Sequence, residues 1–317
     1  MQPTLNELSL DRFPSRAEAR VAASELLQTL RAVFTVRGTQ RVLRASEGHD
    51  ALEIADGYPL SKWRNDPDVS ADEKSFFRSI VAWTPAIARS RDGDALADSE
   101  ERCVFSVRGR TARGLGAAYL TDAIAVSVRS HEQWESPHVL LESICDAEGE
   151  LEEGFASARH ASTAAHVEVH RAELEAGFDA LADDGELLWK SREQGYPHLS
   201  LSPAIQPFLQ TLGRNDPALK QIGIRLRQLD AAASRWTEGS FDHSSIGTKA
   251  TPESKPTLED DPGSRTFPCP VRGTREIFSW HVRTTGQVLR IYYQPIRPGL
   301  ISVGHIGSKM STSRQKI

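Results

Sequence analysis

Two short runs near the end of this 317-residue chain, "FSWHVR" (278–283) and "LRIYYQ" (289–294), place reactive side chains at every second position. Alternation in extended chain puts His281, Arg283, Arg290 and Tyr292 on one face. Phe278, Trp280 and Val282, with Leu289, Ile291 and Tyr293, take the other. His305 and Lys309 in "LISVGHIGSKM" (300–310) could close the first set on a third strand, with Gly304 and Gly307 leaving their direction open. An imidazole, a phenol and guanidiniums on one sheet suit a metal-independent attack on RNA. That reaction needs a base for the 2′-hydroxyl proton, cations for the crowded phosphate and an acid for the departing 5′-oxygen. His281 or His305 could be base or acid, because an imidazole titrates near pH ~6.5. Arg283 and Arg290 could grip phosphate through two oxygens each. Tyr292 could stack on a base or give a proton, and Arg275, Arg297 and Lys309 could hold the nucleic-acid backbone. No metal or cofactor enters this scheme. The plainer reading makes the same residues the solvated face of a half-buried sheet.

Charge singles out the same end. Residues 264–317 hold nine Lys/Arg against one acid, Glu276, about +8, while the rest carries 29 bases and 42 acids, about −13. The split suggests a polyanion-facing end on an acidic body, itself a possible dock for a protein partner. A basic end that only neutralises that body fits the same numbers.

The middle of the chain offers a competing chemistry. Asp122, Glu142 and Asp146 could hold Mg²⁺ for a two-metal nuclease. His166 and His170, four apart, would share one side of a helix, but without an HExxH pattern. "RGRTARGLGAAYL" (108–120) lacks the spacing of a phosphate-binding glycine loop. Its Arg108, Arg110 and Arg113 could still meet an anion at a helix start. Trp63 reads as a buried anchor.

The positioning elements follow from pattern. Ser15 and Glu18 open a helix over 15–36 whose apolar face includes Val21, Leu26, Leu30 and Val33. Ser70 caps a second over 70–83, and "DGYPLSKWRNDPD" (56–68) between them reads as an ordered loop. Strands are expected at 103–107 and 124–130, with a short helix between. A hairpin is expected at 138–159 and helices at 162–182, 204–212 and 217–236, the last burying Leu219, Ile222, Leu226, Leu229 and Ala233. The fold class is α+β. An acidic α+β body fills 1–237, a polar linker or strap 238–265, and a basic antiparallel three-strand meander 266–317. Cys103, Cys145 and Cys269 form no CxxC, so unpaired thiols and a cytoplasmic setting are expected. No apolar run is long enough to span a membrane, and the N-terminus lacks a secretory pattern.

"FSWHVRTTGQVLRIYYQP…LISVGHIGSKM" resembles the RelE/ParE toxin superfamily over its last 45–50 residues. The resemblance implies an antiparallel sheet that cleaves ribosome-bound mRNA or, in ParE-type members, poisons a topoisomerase. It carries over to Arg283, Arg290, Tyr292, His305 and Lys309. A polar strap stands where the family has a helical pair. The longer stretch from "LWKSREQGYPHL" to the end resembles bacterial proteins without an assigned activity. Together these features give the expected function, a bacterial nucleic-acid-engaging effector that cleaves RNA in phage defence. A non-catalytic sensor or scaffold and a Mg²⁺-dependent nuclease are the alternatives.

Overall fold

The computed structural model describes residues 1–10, 13–46, 48–81, 99, 102–147, 150–180, 184–213, 216–286, 289–308 and 310. Helices and antiparallel strands occur together, as an α+β chain requires. Two units divide at Asp179/Ala180. Among the described residues no helix is long and apolar enough to cross a membrane.

Unit 1 contains β1 (Thr4–Leu5), β2 (Glu53–Ala55), β3 (Tyr58–Pro59), β4 (Cys103–Val107), β5 (Arg110–Thr111), β6 (Ala125–Val126), β7 (His138–Ala147) and β8 (Glu150–Ala161). Six of them form a sheet in the order β1-β6-β8-β7-β4-β5. The helix Arg113–Leu120 packs Leu115, Ala117, Ala118 and Leu120 against Phe105, Trp134, Leu141 and Ala158 of its inner face. Gly114 is obligatory there, because a Cβ would stand 1.9 Å from the Leu5 carbonyl oxygen. The helices Arg16–Val33 and Ala71–Val81 share a second core with Trp63, which is buried as expected. Ser15 and Ser70 cap them, each accepting from the amide three residues on at 3.2 Å.

Several expectations change in this unit. Val21 is exposed, and Ala19, Ala22, Ala23 and Leu27 take the buried side of its helix with Leu26 and Leu30. Small side chains let the helix approach closely, a face that a search for large apolar residues passes over. Residues 56–68 are no loop: β2 and β3 pair, and Leu60–Asn65 is helical. Only Ala125–Val126 of the expected 124–130 strand pairs. Cys103 and Cys145 face each other across β4 and β7 and are joined as a disulfide, against the expectation of unpaired thiols, while Cys269 is a buried free thiol.

Unit 2 contains β9 (Leu199–Leu201), β10 (Ala250–Pro252), β11 (Thr266–Cys269), β12 (Thr274–Ile277), β13 (Trp280–Arg283), β14 (Leu289–Arg297) and β15 (Leu300–Ser308). Its main sheet runs β10-β13-β14-β15-β9, with β9 parallel to β15 and the other pairs antiparallel. The helix Pro217–Arg235 lays Leu219, Ile222, Leu226, Leu229 and Ala233 on one sheet face, against Val282, Ile291, Tyr293, Ile301 and Val303. The β11–β12 hairpin covers the other face with Phe267 and Cys269.

This arrangement differs from a free meander behind a linker. The 238–265 stretch is folded: it supplies β10, the helix Lys255–Asp260 and the turn Pro262–Arg265. The unit therefore begins near 180 rather than 266, because the final strands bury their apolar face on residues 199–235. Phe278 also changes sides. It precedes β13, outside the alternation, and packs with Phe267 and Tyr292.

Candidate functional site

Register assembles the expected cluster. Arg283 lies opposite Arg290, His281 opposite Tyr292, and Tyr292 opposite His305. A register shift after Tyr292 inserts Gly304, so that Tyr293 pairs with Val303 on the apolar face while His305 keeps to the polar one. The four residues predicted from alternation thus share a face, and the register shift adds His305, whose direction the sequence left open. Lys309 lies outside the described residues. Arg275 and Arg297 are exposed, on the hairpin and at the end of β14.

The face is covered. Tyr292 is 0% exposed, His281 5% and Arg290 7%. His305 and Arg283 are half-buried. The Phe267 ring lies flat on His305, with centroids 4.9 Å apart and planes at 9°. The expectation of an open cationic patch is therefore corrected. The physical reason is the apolar content of the hairpin, whose Phe267 and Cys269, with Phe278, need a surface and find Tyr292.

Three residues that the sequence reading passed over complete the cluster: Glu253, Arg265 and Phe267. Thr251 of β10 pairs with His281, and Glu253, two residues on, turns to the same side. Its Oε2 stands 3.3 Å from Nη2 of Arg265, a side chain 1% exposed. Its Oε1 stands 3.2 Å from His281 Nδ1, at ion-pair distance but off the line of a hydrogen bond. Burial works against the Glu253 carboxylate, yet His281 and Arg265 hold it below its ordinary range. Burial pushes His281 down although Glu253 pulls it up, and burial alone pushes His305 down. Burial also raises the Tyr292 phenol to about 12, so it holds its proton. The arrangement is a Glu253–Arg265 ion pair beside His281, covered by the aromatic rings of Phe267 and Tyr292. Period-two spacing in "ATPE" is the signal that could have found Glu253.

The competing centres of unit 1 are engaged internally. Asp122 bonds Arg159 at 2.8 Å, while Glu142 and Asp146 sit four residues apart on β7, about 13 Å along a strand. His170 bonds the Pro137 carbonyl at 2.6 Å, and His166 lies 3.3 Å from the Ser162 amide. Among the described residues no group of three or more His, Cys, Asp or Glu is placed to hold a metal ion. The start of the Arg113–Leu120 helix is occupied too: Glu7 accepts from the Arg113 and Gly114 amides at 2.6 and 2.8 Å. The chain's own carboxylate takes the place expected for an outside anion.

Comparisons with protein-family models, curated proteins and solved structures find no match to this chain.

Proposed function

We propose that this protein engages nucleic acid, RNA by preference, as a binding subunit, through the arginines at the rim of unit 2 rather than through its inner face. The observation that carries the reading is the closure of that face. Tyr292, His281 and Arg290 lie under the hairpin beside Glu253, whereas Arg272, Arg275 and Arg297 stand at the surface. A phosphate entering the inner face would displace packed rings and meet a carboxylate. At the rim it would meet exposed guanidiniums, Arg272 beside Glu276 and Arg275 donating to the Thr266 carbonyl, where contact with the backbone releases counterions.

The test is binding of an end-labelled single-stranded RNA in EDTA across 50–200 mM salt. Three neutralised phosphates give a log–log salt slope of about −2. Replacing Arg275 and Arg297 by Gln should weaken all RNA sequences alike and remove about 1.4 from that slope. Salt-independent binding, or a double variant that binds as well as the parent, sinks the proposal.

A second reading is metal-independent, toxin-like RNA cleavage. It is favoured by the convergence of His281, Arg283, Arg290, Tyr292 and His305, and by the flat ring of Phe267 on His305, the geometry of a stacked base. On this reading Phe267→Ala cleaves labelled RNA in EDTA and Phe267→Ala with His305→Ala does not. Equal inactivity of both proteins removes it.

A further inference from the structure

In the β7–β8 hairpin Val139, Leu141, Ala156 and Ala158 face inward and are buried. The alternate positions turn outward and carry Leu140, Ile144, Leu151 and Phe155, of which Leu151 and Phe155 are 75% exposed. A soluble surface rarely gathers four large apolar side chains on one sheet face, and such a patch marks an interaction site. Three carboxylates are woven into it: register sets Glu142 opposite Phe155, Glu153 opposite Ile144 and Asp146 opposite Leu151. The cation at the far end of β8 is committed elsewhere, since Arg159 bonds Asp122 and Glu173 at 2.8 Å each. The face is apolar and acidic.

That pairing selects the occupant. Two copies face to face would bring six carboxylates into one apolar seam, where like charges add to the cost of their desolvation. An anionic lipid surface would repel Glu142 and Glu153. A protein segment that alternates large apolar side chains with Lys or Arg would bury Phe155, Leu140 and Ile144 and neutralise the acids between them. We propose that this face of unit 1 docks a partner protein through a basic amphipathic segment. The inference is independent of nucleic-acid binding by unit 2.

The experiment measures binding of two labelled 18-residue peptides to the full chain by fluorescence polarisation. Both peptides carry Leu at every second position, with Lys at the remaining positions in one and Glu in its twin. The Lys peptide should bind at least tenfold more tightly than the twin. Leu140→Ser with Phe155→Ser should weaken it tenfold or more, and Glu142→Gln with Glu153→Gln about fivefold with a flatter salt dependence. Both double variants change exposed positions, and an unchanged circular dichroism spectrum confirms their folding. Equal binding of the two peptides, or undiminished binding by the Ser variant, overturns the proposal. So does a wild-type dimer in sedimentation that Phe155→Ser disperses, which would assign the face to a second copy. Co-sedimentation with phosphatidylserine vesicles that the same substitution abolishes would overturn it in favour of a membrane.

Discussion

His160 is held from both sides, 2.6 Å from the Ser136 carbonyl at Nδ1 and 2.6 Å from the Ser127 hydroxyl at Nε2. A carbonyl only accepts, so Nδ1 carries the proton and Nε2 takes the hydroxyl's. Burial pushes this imidazole down to about 4. The unfolded chain binds a proton there near pH ~6.5 and the folded chain does not, so stability is whole above that pH and falls below it. The difference amounts to about 2 kcal/mol at pH 5. His160→Asn should therefore lose about 2 kcal/mol less than the parent between pH 7 and pH 5 in urea titrations. Parallel pH curves for the two proteins would show that His160 is not the group responsible. At Glu253 the expected effect lies in pairing. Glu253→Ala leaves a nearly inaccessible Arg265 without this carboxylate and should cost about 3 kcal/mol. Glu253→Leu with Arg265→Met should recover part of that, because an apolar pair needs no compensation. A single substitution that leaves the thermal midpoint unmoved would mean that Arg265 is satisfied without Glu253.

Three of the five strands of the main unit 2 sheet were legible because period two is a strong signal, and it placed His281, Arg283, Arg290 and Tyr292 on one face; His305 joins them only through the register shift at Gly304. Their covering was not. β11 and β12 are four residues each, β11 contains Pro268, and the link at Phe278–Ser279 breaks the alternation. Nothing local in "TFPC" tells a hairpin that folds back over the sheet from one that leads away. The strap escaped notice for a related reason. Ser, Pro and acid read as loop, yet Ser254 caps Lys255–Asp260 by a local bond, and Thr251 joins β10, which depends on a strand remote in sequence. Gly304 leaves room for the cover, since a Cβ there would come within 2.8 Å of the Phe278 ring. Gly304→Ala should displace that ring, cost about 2 kcal/mol and open Tyr292 to quencher. An unaltered Tyr292 environment in the Ala variant would show that Phe278 does not hold the cover.

Across the whole molecule, charge and architecture divide the chain at different places. The basic segment 264–317 is a property of composition, which is why it stood out. The structural boundary at Asp179/Ala180 is a property of packing: Val282, Ile291 and Val303 need Leu219, Ile222, Leu226 and Leu229, and β15 needs β9. No pattern within the last fifty residues reveals that dependence, since an apolar strand face looks the same whichever helix covers it. The consequence can be measured by truncation. A fragment of residues 264–317 keeps every arginine of the proposed rim but loses the helix Pro217–Arg235, and with it one whole side of the sheet core. Each buried leucine missing from such a core costs about 2–5 kcal/mol, more in sum than a domain's margin of about 5–15 kcal/mol. The fragment should therefore give a collapsed amide proton spectrum and no cooperative melt. Residues 184–317 retain the helix and β9 and should melt cooperatively, with RNA binding as steep in salt as that of the full chain. A 264–317 fragment with dispersed amides would show that the meander folds alone and that the polar strap is the linker its composition suggests.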